Sequence, residues 1–256
     1  SAEGHEELLK CHEHEGSCRS VLFSEDGQSL FTAGADGKLR VLDIQSHSHR
    51  FDPAWEVKAH DCPVNTLCIV SENLVASGDD QGAICVWDIR TRGKAMQHAA
   101  GLHTDFISDM TLGAEGKDLL ASSGDATLSV FDTRQRKLLG RSDDQEDELL
   151  SVQVLKHGRK VVCGSQNGVL LVWSYGTWGD CSDRFPGHPN SVDTLLQLDE
   201  DTLLSGSSDG LIRVVAIQPN RFMGVLGDHN DFPVESIKFS HDARWIASAS
   251  HDSLVR

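Results

Sequence analysis

Thirteen histidines, seven cysteines and a run from Asp143 to Glu148 holding five carboxylates are the groups in this 256-residue chain that could bind a metal, attack a substrate or hold charge. A structural zinc site needs four ligands at close spacing. His12 with His14 and His47 with His49 are close pairs, but both border turns and read as solvated loop histidines. The cysteines (Cys11, Cys18, Cys62, Cys68, Cys85, Cys163, Cys181) form no Cys-x-x-Cys pair. Several sit inside apolar runs such as Ile84-Cys85-Val86, so buried free thiols in a reducing compartment are expected. A serine nucleophile needs an adjacent base, and the serines instead cluster at recurring positions with a structural explanation. The glycines of Gly34–Gly37 and Gly164–Gly168 read as turns between strands rather than phosphate loops. No catalytic residue, metal, cofactor or small-molecule substrate is expected.

Charge narrows the partners. The chain carries 23 Lys and Arg against 39 Asp and Glu, a net charge of −16. Backbone phosphates are held by clustered cations, so direct nucleic-acid binding by this region is not expected. Basic protein partners suit such a surface. No run of eighteen apolar residues exists, so no membrane span is expected. The composition of 23 Gly, 6 Pro and 39% hydrophobic residues suits short strands and tight turns.

The elements that must position these groups appear as a repeat. Six segments share small residues, a polar turn and an apolar approach: 30–37, 75–82, 119–126, 161–168, 203–210 and 246–253. At a constant offset beyond the first five stand Leu42, Trp87, Phe131, Trp173 and Val215, at intervals of 45, 44, 42 and 42 residues. Such a period with four short strands per unit marks propeller blades. Histidines precede apolar strands by four or five residues: His14 before Cys18, His60 before Val64, His103 before Ile107, His188 before Val192 and His229 before Val234. The fourth unit departs, with Gln145 in the histidine position. Ser24–Gly27 and Ser240–Ala243 are turn signals between first and second strands.

With Trp87-Asp88, its degenerate copies Phe131-Asp132 and Leu42-Asp43, and Gly187-His188, the chain resembles the WD-repeat family over nearly its whole length. The resemblance implies an all-β fold, a WD-repeat β-propeller domain over residues 1–256. Units are expected at about 12–50, 58–97, 101–140, 143–186, 187–226 and a partial one at 228–256, with an outer strand at 5–11. The expected arrangement is a fragment of a seven-bladed ring, five full blades and two partial ones. The alternative is that the two ends pair to close a six-bladed ring. The resemblance also implies a buried hydrogen-bonded chain, best preserved in the second unit as His60, Ser77, Asp79 or Asp80, and Trp87. Thr32, Ala121, Cys163 and Val215 are expected to break it elsewhere, leaving apolar packing to hold those blades.

Phe23–Gln28, Glu72–Asp80, Ser182–Phe185, Pro219–Arg221 and Pro233–Glu235 resemble a nucleolar branch of that family associated with ribosomal RNA production. The resemblance implies residence in the nucleus and nucleolus, with the cytoplasm as a further location, and a non-catalytic scaffold binding pre-ribosomal protein factors. A competing implication comes from Trp87-Asp88-Ile89-Arg90 and Phe131-Asp132-Thr133-Arg134. These resemble elements with which some propellers bind the adaptor of cullin-RING ubiquitin ligases, which makes Arg90 and Arg134 candidate partner contacts. Asp143, Asp144, Glu146, Asp147 and Glu148 form a second candidate surface, suited to a basic peptide.

Overall fold

The computed structural model describes residues 14–44, 54–91 and 95–256. Cys11, His12, His47, His49 and the strand expected at 5–11 lie outside them. Among the described residues, every regular element is a strand. Among the described residues, no helix is long and apolar enough to cross a membrane.

The strands form sheets of consecutive antiparallel neighbours. The first sheet holds β1 (Cys18–Phe23), β2 (Ser29–Gly34), β3 (Lys38–Asp43) and β4 (Trp55–Lys58). The second holds β5 (Val64–Ser71), β6 (Leu74–Asp79), β7 (Ile84–Asp88) and β8 (Ala95–Ala99). The third holds β9 (Ile107–Leu112), β10 (Asp118–Ser123), β11 (Leu128–Asp132) and β12 (Lys137–Arg141). The fourth holds β13 (Leu149–Leu155), β14 (Lys160–Ser165), β15 (Val169–Ser174) and β16 (Asp183–Pro186). The fifth holds β17 (Val192–Gln197), β18 (Thr202–Ser207), β19 (Leu211–Ala216) and β20 (Arg221–Asp228). A sixth pairs β21 (Val234–Phe239) with β22 (Ile246–Ser250), and a single bridge from Ala249 to Val255 adds the start of a third strand. These are WD-repeat propeller blades.

Burial explains the pattern of each strand. The second and third strands of a sheet are covered on both faces and read as near-continuous apolar runs, such as Val161-Val162-Cys163 and Leu170 to Trp173. Outer strands are more exposed, as in β12, where all but Gly140 are exposed, Leu138 and Leu139 among them. The first-to-second turns repeat one chemistry. Gly27 N donates to Ser24 O at 2.9 Å and Ala243 N to Ser240 O at 2.9 Å. The serine hydroxyl of each turn also accepts the amide that opens the next strand, Ser29 N at 2.9 Å and Trp245 N at 3.0 Å.

By its contacts the chain divides into two compact units, Ser1–Asp80 with Ile84–Ala99, and Gln81–Ala83 with Ala100–Arg256. In the first unit, Phe31, Leu39, Val41 and Trp55 pack with Val64, Leu67, Val75 and Trp87, so the first two sheets share one core. In the second unit, each inner strand packs on the next: β9 on β13, β13 on β17, β17 on β21. Polar atoms reinforce these seams. Ser108 Oγ donates to Leu149 O at 2.6 Å, Ser151 Oγ to Val192 O at 2.9 Å, and Val152 N donates to Asp109 Oδ2 at 3.0 Å.

Cys18, Cys85, Cys163 and Cys181 are free thiols. Cys85 and Cys163, the two in apolar runs, are buried; Cys18 is exposed, and Cys62, Cys68 and Cys181 are half-buried, so the expected burial holds for only part of the set. Burial, followed by the Asp79 charge, pushes Cys85 up to about 12, and burial first also raises Cys163. Neither is a thiolate nucleophile near neutrality.

Turn glycines fix the approach of one sheet to the histidine loop of the next. Gly168 has φ +77°, and a Cβ there would meet His188 O and lie 2.6 Å from Asn190 O. Gly116 has a similar φ of +63° with nothing nearby. Gly116→Ala should therefore cost about 1 kcal/mol of backbone strain, and Gly168→Ala at least about 2 kcal/mol more from the displaced loop. Urea unfolding of the two variants checks this; equal costs would refute the role of close approach.

Candidate functional site

The groups capable of chemistry converge at one place in each sheet, where the loop preceding the first strand folds over the second. In the second sheet His60 Nδ1 lies 2.7 Å from Asp79 Oδ2, and His60 Nε2 lies 2.7 Å from Ser77 Oγ. Trp87 Nε1 donates to the same Ser77 Oγ at 2.9 Å. Only one ordering of protons satisfies all four groups: Trp87 donates to Ser77, Ser77 to His60, and His60 to Asp79. Asp79, the last residue of β6, takes the part, because Gln81 occupies the turn position that holds Asp36, Asp125 and Asp252 in other units. Asp80 is not in the chain; it accepts from Arg19 Nη1 at 2.9 Å.

Serine, histidine and aspartate in this order are also the parts of a hydrolytic triad. Here the serine hydroxyl is fully buried, His60 is 5% exposed, and the indole occupies the oxygen from its other side. A carbonyl carbon has no path to Ser77. The arrangement satisfies buried polar groups and does nothing to a substrate.

The other sheets solve the same problem with other residues. Thr32, expected to interrupt the chain, instead lies 2.9 Å from His14 Nε2, while His14 Nδ1 lies 2.8 Å from Asp36. His14 is thus a buried network member rather than a solvated loop histidine. Ala121 cannot bond, but Ser129 on the neighbouring strand lies 2.7 Å from His103 Nε2, with Asp125 at 3.2 Å from Nδ1. His229 reaches Ser248 at 2.7 Å and Asp252 at 2.8 Å. These three sheets do not rely on apolar packing alone, and sequence position missed Ser129 because only strand pairing sets it opposite Ala121. A fixed offset of eight residues from Thr32, Ser77, Ala121, Cys163 and Ser205 would have found Arg40, Cys85, Ser129, Leu171 and Arg213.

The fourth and fifth sheets lack the full chain. Gln145 donates to Asp143 O at 2.9 Å, and Trp173 Nε1, with Cys163 in place of a hydroxyl, donates to Gly179 O at 3.1 Å. In the fifth, His188 bonds Ser205 at 2.8 Å, and Val215 replaces the indole. Asp209 is taken by Arg213 through bonds of 3.0 and 2.5 Å, which leaves His188 Nδ1 buried without a partner. Phe222 packs edge-on to the imidazole, ring centroids 5.0 Å apart. Burial, then the Arg213 charge, lowers His188 to about 4. The Asp36 and Asp125 carboxyls move well below the usual range. Burial is the largest influence and opposes this, but the summed bonds from histidine, hydroxyl and amide donors outweigh it. Asp193 moves the other way, raised to about 6 by burial and then by Glu235 and Asp209.

The candidate partner contacts lie on the surface. Arg90 gives Nε and Nη2 to Asp88 at 2.9 and 2.6 Å, with its side chain 66% exposed. Asp88 is correspondingly lowered to about 2, its bonds with Arg90 leading. Arg134 is exposed, and its amide donates to Asp132 Oδ1 at 2.8 Å. Arg90 belongs to the first compact unit and Arg134 to the second. Asp143, Asp144 and Glu146 are exposed, Asp147 and Glu148 half-buried. Asp147 Oδ2 accepts Asn167 N at 2.5 Å. Among the described residues, no group of three His, Cys, Asp or Glu side chains is placed to hold a metal ion.

The family WDR55 matches the chain along its full length, residues 1–256. The chain belongs to this family. It is 45% identical over 248 residues to WD repeat-containing protein 55 of Arabidopsis thaliana, covering 96% of this chain and 69% of that protein. Against WD repeat-containing protein 55 of Homo sapiens it is 40% identical over 250 residues, covering 98% and 64%. Against WD repeat-containing protein JIP5 of Coprinopsis cinerea it is 40% identical, covering 94% and 60%. The chain therefore spans about two thirds of the length of these WDR55 relatives.

Two outcomes follow from the buried chains. Ser77→Ala leaves both Trp87 Nε1 and His60 Nε2 without partners in a dry site, which should cost about 2–4 kcal/mol in urea unfolding; a loss under about 1 kcal/mol would refute the ordered chain. His188 titrates near 4 when folded against 6.5 unfolded, so the unfolded state binds more protons between those values. Its contribution is complete above pH 6.5 and declines as pH falls to about 4, by about 3 kcal/mol. Asp193 works in the opposite sense over part of that range. The difference between wild type and His188→Gln therefore isolates the histidine, and a difference independent of pH would overturn the assignment.

Proposed function

We propose that the chain is a non-catalytic protein-interaction scaffold of the nucleolus that acts in ribosomal RNA production by holding pre-ribosomal protein factors. The observation that carries the non-catalytic reading is the sealing of each serine–histidine pair beneath its own sheet, with Ser77 and Ser205 fully buried. Charged loop side chains face solvent, including Asp144 and Glu146 at 84% and 88% side-chain exposure. Membership of WDR55 and the net charge of −16 support protein partners over nucleic acid. The nucleolar assignment draws on the resemblance of Phe23–Gln28, Glu72–Asp80 and Ser182–Phe185 to the nucleolar branch.

A second reading, a substrate receptor of a cullin-RING ubiquitin ligase, is favoured by one specific arrangement. Asp88 holds the Arg90 guanidinium at two nitrogens while leaving it exposed, which presents a cation in a fixed direction at little entropic cost.

Affinity purification of the tagged full-length protein from cells, with an RNase-treated control, separates the two. Pre-ribosomal proteins should co-purify after RNase treatment and persist in the Arg90→Ala, Arg134→Ala double variant. Recovery of the ligase adaptor instead, abolished by the double variant, would replace the biogenesis reading. Loss of all co-purifying proteins on RNase treatment would sink direct protein binding.

A further inference from the structure

The fourth sheet differs from its neighbours where a cation is otherwise built in. In the first sheet Arg40, paired across the strands with Thr32, is 4% exposed and gives Nη1 to Asp36 Oδ2 at 3.1 Å and Nε to Glu56 Oε2 at 2.6 Å. In the fifth, Arg213, paired with Ser205, forks onto Asp209. In the third, Arg141 on the outer strand reaches Asp125 at 3.3 Å and Thr127 at 3.2 Å. Each guanidinium covers the outer half of its sheet and ends on the turn aspartate.

The fourth sheet has Leu171 at the Arg40 and Arg213 position, and Asn167 where the turn aspartate stands. Its outer-strand arginine, Arg184, pairs with Leu171 as Arg141 pairs with Ser129, but turns elsewhere, to Asp180 at 3.2 Å and Gln145 at 3.3 Å. The shorter apolar side chain and the diverted arginine leave a cleft of about 230 Å³. Val169, Leu171 and Pro186 line it with carbon, and Glu146 and Asp147 bring carboxylates to it. Two carboxylates, Glu146 and Asp147, line the cleft against one cation, Arg184, which lies 3.6 Å from Glu146.

We propose that this cleft is a docking site for an arginine side chain presented by a basic segment of a partner protein. The aliphatic stem lies along Val169, Leu171 and Pro186, and the guanidinium meets Glu146 and Asp147, supplying from outside the cation that the first, third and fifth sheets carry internally. Arginine suits the site better than lysine, because a planar fork can engage two carboxylates while its stem packs on apolar walls. Asp143 and Asp144 draw flanking cations, a contribution that weakens with salt. Nucleic acid is disfavoured by the same carboxylates. The inference rests on the scaffold reading and names the chemistry of one of its partners.

The test is a fluorescence-anisotropy titration of full-length protein against a labelled nine-residue peptide with one central arginine among lysines and glycines. Glu146→Gln should raise Kd at least five-fold, as should replacing the central arginine of the peptide by glutamine. Leu171→Arg, which installs the internal cation, should abolish binding, and circular dichroism reports whether that variant folds. If it does not, Glu146→Gln decides the matter, because its side chain is 88% exposed. Glu115→Gln, on an exposed turn of the third sheet, should leave Kd unchanged. Equal weakening by Glu115→Gln and Glu146→Gln, indifference to the central arginine, or displacement of the peptide by single-stranded RNA would overturn the proposal. Failure here alongside intact co-purification of protein factors removes only the cleft and leaves the scaffold reading standing.

Discussion

A histidine buried where a loop crosses the second strand of a sheet has two ring nitrogens and no water, and the sheets of this protein are arranged around meeting that demand. An unpartnered polar group in such a place costs about 1–3 kcal/mol. A hydroxyl on one side and a carboxylate on the other fix the imidazole, its tautomer and therefore the loop that carries it. Because the turn glycine of one sheet lies against the histidine loop of the next, as Gly168 does with His188, the bond chain within a sheet also sets the spacing between sheets. The histidine is a joint between strands and between blades.

The demand is met by position in space and is indifferent to which strand supplies the hydroxyl. Thr32 and Ser77 come from the second strand, Ser129 from the third. The carboxylate comes from the turn in the first, third and sixth sheets and from the end of β6 in the second. Where the solution is incomplete, apolar contact compensates: Phe222 flanks His188, and Val215 fills the place of the indole without exposure. The cost is concentrated at His188 Nδ1, whose low proton affinity records it.

The same economy of internal polar groups bears on function. Ser–His–Asp geometry at hydrogen-bond distance is catalytic only where a substrate can reach the serine, and in this fold the geometry exists because nothing can. The departures of the fourth sheet, with Gln145, Asn167 and Leu171 replacing polar or charged partners, open a cleft lined by Glu146 and Asp147 of the acidic run.

Much of this was legible in the residues. A period near 43 residues, small-residue segments and histidines four or five residues ahead of apolar strands suffice to specify all-β blades, because each strand's burial on one or both faces is written in its own apolar pattern. His60, Ser77 and Trp87 could be singled out for the same reason: their spacing within one unit is fixed by two hairpins. Sequence alone could not choose Asp79 over Asp80 or show that Thr32 bonds, since those depend on side-chain direction; an eight-residue offset places Ser129 opposite Ala121, but only the fold shows its hydroxyl reaching His103. Nor could it show a cleft at Leu171. That void follows from a shorter side chain facing a turn and an arginine on the neighbouring strand drawn to Asp180 and Gln145, and only packing in three dimensions decides where such a difference in volume falls.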